Sequence, residues 1–392
     1  MTPHAMDHGR SALRCMETAR DACAKALPGL AEELRDLPLA ELESPGSPAL
    51  AAFKRAGGAG LLVPGTYGGA GATALEAVRV SRALGALSPS LAVAAAMHNF
   101  SVASLVALVA SSGASGLEWM LIEGIARDGL LVASGFAEGR AGASVLDSAV
   151  TARPAASGGG YVVNGSKKPC SLSRSMDLLT AGVAIEQPDG SSQLGVALIP
   201  AASEGISRHP FWGVPYLAGA ESDEVVLRDV HVPEELMLRP EVELGTGLDT
   251  LQTVGFVWFE LLVTAAYTGA VGRLAEAALR AGRGSVTDRA AVLVAVEAAA
   301  GLAENVAHVV DSGTIGNEEL AAALTARFAV QDLLVKAADQ AAELLGGVNF
   351  VTSPEVGHLL AVSRVLAFHP PSRSSSAEAL VDHHAGAPLR IA

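Results

Sequence analysis

The sequence predicts an α+β chain in which an N-terminal helical domain, a middle antiparallel β domain and a C-terminal four-helix bundle follow one another. Ala- and Leu-rich segments with helical spacing fill residues 1–128. Short β-rich runs separated by Gly-containing turns fill residues 129–242, and long apolar helical segments fill residues 243–392. A chain of 392 residues is also longer than one core usually extends, which favours a division into domains.

The first part contains five predicted helices separated by Gly, Pro and Ser. They cover residues 11–26, 49–56, 73–84, 91–110 and 115–127. A loop at residues 63–71 has too many glycines for regular structure and connects the second helix to the third. The segment at 91–110 is the most apolar window, but His98, Asn99 and Ser101 interrupt it. We therefore expect a buried helix there and no membrane span.

The middle part and the last part differ in the period of their apolar residues. Strands are predicted at residues 130–134, 148–152, 161–164, 178–185, 194–199 and 224–227, which together suggest a small antiparallel sheet or barrel. Helices are predicted at residues 251–283, 288–312, 317–345 and 355–367. Their apolar faces exceed what one bundle can hide, which predicts a homodimer or homotetramer.

Composition excludes several classes of protein. Half of the residues are hydrophobic and only 17% are charged, so the chain is globular and not disordered. A formal net charge of −14 disfavours binding to nucleic acid. The three cysteines lack CxxC spacing, which argues against a disulfide framework and a metal site. The first residues carry charges and no apolar segment, so we expect a cytoplasmic protein.

Four short strings, in order along the chain, carry a family resemblance. They are Val63-Pro64 with Tyr67 to Gly71, similar to a VPxxYGGxG loop; Asn164-Gly165-Ser166-Lys167, similar to an NGxK turn; Asp229-Val230-His231-Val232-Pro233, similar to a DVxVP strand end; and Leu344-Leu345-Gly346-Gly347, similar to an LxGG helix end. With the helix, sheet, helix layout, they resemble the acyl-CoA dehydrogenase superfamily over nearly the whole chain. The resemblance implies an oligomeric flavoprotein with FAD between the β domain and the C-terminal bundle, its adenine end reaching a neighbouring subunit.

The resemblance also implies a chemistry. In this family a carboxylate removes the α-proton of an acyl thioester while a hydride passes from the β-carbon to the flavin. The expected activity is α,β-dehydrogenation of an acyl thioester in specialised metabolism. The thioester carrier is CoA or an acyl carrier protein. Both are anionic, so the negative net charge of this chain does not distinguish between them.

Glu260 is the candidate for the catalytic base. The base of the commonest family members is missing, because the matching region, residues 364–373, contains no carboxylate. A minority of the family carries its base on the first long helix of the bundle, where this chain has Glu260. It is the only charged residue between Asp249 and Arg273, so burial would raise its pKa. The alternative is that Glu260 faces solvent or joins a polar packing network.

The flavin contacts implied by the resemblance are only partly retained. The family's TEPxAGSD-like loop corresponds to residues 136–144, which gives Phe136, Ala137 and Ser144 as cofactor contacts. The family's Trp-Ile-Thr triplet corresponds to residues 169–171, where Ser171 keeps a hydroxyl donor but Pro169 replaces the shielding indole.

A second group of predicted cofactor contacts lies in the last part of the chain. Arg283 matches a phosphate-binding arginine, whereas Glu343 stands where the family has Gln, followed by Gly346 and Gly347. Two histidines are candidate substrate contacts: His98, near the family's acyl pocket, and His369.

Two further function classes stay open. One is a flavin monooxygenase of the same fold, which uses reduced flavin and oxygen to hydroxylate small molecules or amines. His369-Pro370 resembles an HDP-like string of those proteins, and the loss of the common base agrees with it. The other class is a flavin-free lyase, isomerase, cyclase or scaffold, suggested by four weakened positions, Ala137, Pro169, Val286 and Glu343.

Overall fold

The computed structural model describes residues 12–111, 116–140, 148–156, 158–239 and 250–391. Helices come first, strands follow, and helices return, so the predicted fold class is confirmed. The exact domain limits at residues 128 and 242 stay a prediction.

Seven helices precede the sheet and five follow it among the described residues. The first group is α1 Arg14–Ala26, α2 Leu30–Leu34, α3 Leu39–Leu42, α4 Ala49–Arg55, α5 Ala74–Leu87, α6 Pro89–Ser111 and α7 Gly116–Arg127. The second group is α8 Thr250–Ala281, α9 Val286–Ser312, α10 Asn317–Thr352, α11 Pro354–Val362 and α12 Arg373–His384. Side-chain caps fix some of the starts: Thr73 and Glu76 form a capping box on α5, and Ser285 and Asp288 form one on α9.

The middle part forms one sheet of eight described strands. They are β1 Val132–Gly135, β2 Thr151–Pro154, β3 Gly160–Cys170, β4 Leu178–Glu186, β5 Ser192–Pro200, β6 Ile206–His209, β7 Asp223–Pro233 and β8 Met237–Leu238. The order is β6-β7-β3-β2-β4-β5-β8, with β1 also paired to β4. Most pairs are antiparallel as predicted, but β4 pairs in parallel with both β1 and β2, so the sheet is mixed.

The chain after α11 differs from the sequence-based prediction. The predicted helices end at residue 367, but residues 372–376 start α12, because the Ser372 hydroxyl accepts a hydrogen bond from the Ser375 backbone N–H at 3.1 Å. His383 and His384 form the end of this helix.

Three helices are apolar and long enough to cross a membrane, judged by length and composition alone. They are Pro89–Ala110, Gln252–Ala281 and Val286–Ser312, and their most apolar windows are 72%, 89% and 44% buried within the fold. The burial predicted for residues 91–110 is thus confirmed. The third helix, α9, keeps apolar side chains such as Val294, Leu302 and Val309 exposed.

Helices α5 and α8 approach each other until their backbones touch. A Cβ atom on Gly85 would lie 1.9 Å from the Ala266 carbonyl oxygen, and one on Gly269 would lie 1.9 Å from the Arg82 carbonyl oxygen. No larger residue fits at either position. Since α8 also packs against α6 and α10, this contact fixes the helix that carries Glu260 against the N-terminal helices.

His98 fastens α6 to two other parts of the fold. Its Nε2–H donates to the Ala59 carbonyl oxygen at 2.9 Å, and its Nδ1 accepts from the Val132 backbone N–H at 2.9 Å. The ring is fully buried, and burial lowers its pKa to about 4. Both ring nitrogens are committed to backbone groups, so His98 joins α6 to β1 and to the loop before α5, and its role as a substrate contact stays a prediction.

This histidine should make stability depend on pH. In the unfolded chain it takes up a proton near pH 6.5, but in the folded chain only near pH 4, so its contribution is present above pH 6.5 and is lost as the pH falls. Between pH 7 and pH 5 we expect a loss of about 2 kcal/mol in the free energy of unfolding. Urea titrations at both pH values measure it. In His98→Gln, whose side chain cannot ionise, the free energy of unfolding should fall by about 2 kcal/mol less between pH 7 and pH 5 than in the wild type. An equal fall in both proteins would contradict this account.

Candidate active site

Four rings from three parts of the chain meet in one row. Phe136 follows β1, Phe100 lies on α6, Phe259 lies on α8 and His369 follows α11. The ring centroids are 6.2 Å apart for Phe100 and Phe136, 5.4 Å for Phe100 and Phe259, and 5.7 Å for Phe259 and His369. Pockets for flat ligands commonly form at such junctions between domains.

Glu260 lies next to Phe259 but points to a different partner. Its side chain is fully buried, and both carboxylate oxygens accept hydrogen bonds from Nη1 of Arg327 on α10, at 2.9 and 2.8 Å. Burial raises the pKa of Glu260 to about 7, against the opposing effect of the Arg327 charge. The isolated carboxylate predicted from the sequence is therefore a member of a buried ion pair.

Arg327 also binds the backbone that carries His369. Its Nη2 donates to the carbonyl oxygens of Leu366, at 3.3 Å, and of His369, while Nη1 donates to that of Pro370 at 3.3 Å. One guanidinium therefore joins α8, α10 and the segment between α11 and α12. The structure places Glu260 and His369 on either side of the same arginine.

The His369 imidazole is half-buried and hydrogen-bonded. Its Nε2 lies 2.8 Å from the hydroxyl of Tyr267 on α8. Burial, with a smaller contribution from the Arg327 charge, lowers the pKa of His369 to about 3, so the ring is neutral near pH 7. Burial also raises the pKa of Tyr267, which keeps its proton.

The predicted contacts of the β domain come together at the ends of β1 and β3. The Ala137 carbonyl oxygen accepts from the Lys168 backbone N–H at 2.8 Å, which holds the loop after Phe136 beside Pro169. Ser171 is buried, and its hydroxyl lies 2.9 Å from that of Ser222. Ser144 lies outside the described residues.

A buried ion pair stabilises the loop that follows β1. Lys167 is 1% exposed, and its Nζ donates to a Glu138 carboxylate oxygen at 2.6 Å and to the Ser148 hydroxyl at 3.1 Å. Burial lowers the pKa of Lys167 in spite of the Glu138 charge. The lysine of the NGxK string is thus a structural anchor of the loop that carries Phe136 and Ala137.

The remaining predicted cofactor contacts lie near the kink in α10. Arg283 Nη1 donates to the Leu345 carbonyl oxygen at 2.8 Å, directly beside Gly346, whose positive φ of 82° kinks α10. Glu343 and Gly347 are exposed there. Leu345 stands 18 residues beyond Arg327 on α10, or about 27 Å along the helix. The Arg283 contact therefore lies far along α10 from the Glu260–Arg327 pair.

Sequence reasoning missed the partners of the site residues. Arg327 is the only charged residue between Glu319 and Asp332, so the argument that found Glu260 would also have found Arg327. Tyr267 and Ser222 carry no comparable signal, because their neighbours become visible only in three dimensions.

Comparison with known proteins decides the family. The family model described as "Acyl-CoA dehydrogenase, N-terminal domain" matches residues 11–113. Isobutylamine N-hydroxylase from Streptomyces viridifaciens is 53% identical over 380 residues, which cover 97% of this chain and 100% of that protein. The chain belongs to the acyl-CoA dehydrogenase superfamily.

Other members of the superfamily agree in sequence or in fold. Dibenzothiophene monooxygenase from Rhodococcus qingshengii is 30% identical over 182 residues, 46% of this chain and 42% of that protein. A solved structure of KijD3, in complex with FMN and dTDP-3-amino-2,3,6-trideoxy-4-keto-3-methyl-D-glucose, has a TM-score of 0.81 at 18% identity and covers 95% of this chain and 94% of that one. As a member of this superfamily the protein is a flavin oxidoreductase, which confirms the predicted enzyme class and flavin cofactor and weakens the flavin-free alternative.

The residues at the junction fit the ring end of a flavin. The row of rings offers apolar contacts, and Ser171 and Ser222 offer a hydrogen-bond donor. Two hydroxyls that share one hydrogen bond use only one of their two protons, so one O–H remains for a third group. A flavin ring has acceptor atoms along its polar edge.

The Lys167 anchor gives a testable difference in stability. Glu138→Gln leaves the buried Lys167 charge without its counterion, and we expect a loss of about 3 kcal/mol in the free energy of unfolding. Glu224→Gln removes the partner of the neighbouring Lys168, which is partly exposed, and should cost about 1 kcal/mol or less. Urea denaturation of both variants measures the difference. Equal losses in the free energy of unfolding would show that the buried pair stabilises the fold no more than the exposed one.

Proposed function

We propose that the protein is a flavin-dependent monooxygenase that hydroxylates the nitrogen of a small primary alkylamine. The observation that carries the proposal is the 53% identity to isobutylamine N-hydroxylase, which extends over the whole of that protein. The resemblance of 30% to a dibenzothiophene monooxygenase over part of the chain supports an oxygen-inserting reaction.

The proposed reaction balances with reduced flavin as the electron donor. The amine and O₂ yield the N-alkylhydroxylamine and one water, while the reduced flavin gives up two electrons and two protons. The flavin, when bound, supplies the electrons and activates the oxygen. The protein's task is to present the amine nitrogen as a nucleophile and to exclude water.

The electrostatics of the site favour a neutral amine over an ammonium ion. An amine attacks oxygen through its lone pair, which the ammonium form lacks. The ring row is apolar, and the His369 ring is uncharged near pH 7. The nearby carboxylate, Glu260, is already paired with Arg327, so it does not attract a cation.

The Tyr267 hydrogen bond sets the proton of the His369 ring. Because Tyr267 retains its proton, we assign its hydroxyl as the donor to Nε2. The neutral ring then carries its own proton on Nδ1, where it serves as a hydrogen-bond donor. His369 would orient the reacting groups through this donor, and Ser171 would donate to the flavin edge.

Dehydrogenation of an acyl thioester on CoA or a carrier protein, expected from the sequence, is not confirmed and is the weaker proposal. Its base would be Glu260, and both oxygens of that carboxylate accept hydrogen bonds from Arg327. FAD as the particular flavin, a cytoplasmic location and assembly into a homodimer or homotetramer remain proposals. The exposed apolar side chains of α9 support the assembly.

Oxygen labelling separates the two activities. With chemically reduced flavin, ¹⁸O₂ and isobutylamine, we expect an N-alkylhydroxylamine that contains one ¹⁸O atom, detected by mass spectrometry. Protein-free reduced flavin serves as the control. Anaerobic bleaching of bound flavin by an acyl thioester, with no labelled hydroxylamine from any amine, would instead support the dehydrogenase.

A second prediction concerns pH. Alkylammonium groups lose their proton near pH 10.4, as lysine does, so the neutral fraction rises about tenfold per pH unit below that value. Above pH 7, where Glu260 is ionised, we expect kcat/KM for the amine to rise about tenfold per pH unit up to pH 9, with no inflection from His369. A fluorinated amine, whose ammonium form has a lower pKa, should reach its maximal kcat/KM at a lower pH. A flat profile for both amines would mean that the ammonium ion binds.

A further inference from the structure

We infer that Glu260 and Arg327 act together as a positioning pair that holds residues 366–370, and through them the His369 ring, in the geometry that the reaction requires. The inference rests on the proposed N-hydroxylation and assigns Glu260 a role other than that of a base. It predicts that the pair affects the reaction only through His369.

The geometry of the guanidinium supports this role. An arginine that only pairs with a carboxylate commonly uses two nitrogens in a fork. Here a single nitrogen, Nη1, contacts both Glu260 oxygens, while Nη2 is given entirely to the carbonyls of Leu366 and His369. The Nε atom is buried without a hydrogen-bond partner. The orientation of Arg327 therefore favours its hydrogen bonds to the backbone over a two-nitrogen contact with Glu260.

The backbone of this segment needs such a donor. Residues 366–370 lie between the end of α11 at Val362 and the start of α12 at Arg373, mostly in one short turn of 3₁₀ helix. Three of their carbonyls accept from Arg327. Leu366 is fully buried, and buried carbonyl groups must be hydrogen-bonded, whereas the hydrogen bonds to His369 and Pro370 are only partly buried. Arg327 therefore supplies these carbonyls with the hydrogen bonds that a regular helix or strand would supply. These bonds determine where the segment lies.

The role of Glu260 follows from that of Arg327. A guanidinium with no exposed surface needs a counterion, because an unpaired buried charge costs several kcal/mol. Glu260 supplies the counterion from α8, the same helix that supplies Phe259 and Tyr267 against the His369 ring. The carboxylate neutralises the arginine, the arginine holds the carbonyls, and the carbonyls place the imidazole.

A second buried arginine provides a control. Arg82 is fully buried, pairs with Glu304 and donates through Nε to the Cys15 carbonyl oxygen at 3.1 Å, and Glu304 also pairs with Arg79. Arg82 joins α5 to α9 and to the start of α1, and its described hydrogen bonds do not reach residues 366–370. Loss of Glu304 should therefore lower stability without changing the position of His369.

The test compares Glu260→Gln with Glu304→Gln at a temperature where both variants are folded. The readout is the share of consumed oxygen that appears as hydroxylamine and not as hydrogen peroxide. We expect Glu260→Gln to lower this share about tenfold and Glu304→Gln to change it less than twofold. In a His369→Ala background, Glu260→Gln should have almost no further effect. Glu260→Asp, which keeps the charge, should recover part of the loss.

A second readout does not depend on the reaction. In protein labelled with ¹⁵N-histidine, the ring nitrogen signals of His369, assigned with His369→Ala, should shift in Glu260→Gln and stay unchanged in Glu304→Gln. If Glu260→Gln does not fold, Arg327→Lys replaces it, because one ammonium cannot reach all three carbonyls.

The outcomes separate the inference from the proposed function. A wild-type protein that hydroxylates no amine refutes the function, whereas the NMR comparison still tests the positioning. Unchanged His369 signals in Glu260→Gln or Arg327→Lys overturn the inference. An additive loss in the His369→Ala background overturns it as well. Loss of flavin bleaching by an acyl thioester in Glu260→Gln would make Glu260 a base and also overturn it.

Discussion

A guanidinium charge buried inside a helical bundle must be neutralised where it lies, and the arrangement around Arg327 follows from this requirement. The charge is met by Glu260 on α8, and the remaining N–H groups are directed to the carbonyls of residues 366, 369 and 370. Two helices and one irregular segment are thereby tied to a single point. The segment has little regular structure of its own, so the position of His369 depends on this contact more than on local backbone geometry.

The junction of helices and sheet then gives the site its character. Rings from α6, the loop after β1, α8 and the His369 segment contact one another in a row, and the buried hydroxyls of Ser171 and Ser222 lie at the end of β3. The site combines an apolar surface with few charges, all of which are already paired. Such a site suits an uncharged amine and a flat cofactor better than it suits proton abstraction by a free carboxylate.

The order of helices and strands could be predicted from the sequence because apolar periodicity is a local property. The parallel pairing of β4 with β1 and β2 could not, since it depends on the path of the chain between distant strands. Glu260 stood out as a lone charge, but its role depends on Arg327, 67 residues away. His98 has the same ambiguity, because a histidine in an apolar helix suits a ligand contact as well as the two backbone bonds it makes. Family resemblance predicted the flavin and the fold, and left the reaction to be argued from the site.

The contact between α5 and α8 has a consequence for how this enzyme can change during evolution. Gly85 and Gly269 admit no side chain, so α8 keeps one depth and one rotation relative to the N-terminal helices. Phe259, Glu260 and Tyr267 inherit that rigid placement. New substrate preferences can therefore arise from side chains around the site, such as Phe259 on α8, Phe100 on α6 and the segment around His369, while the α8 backbone keeps its position.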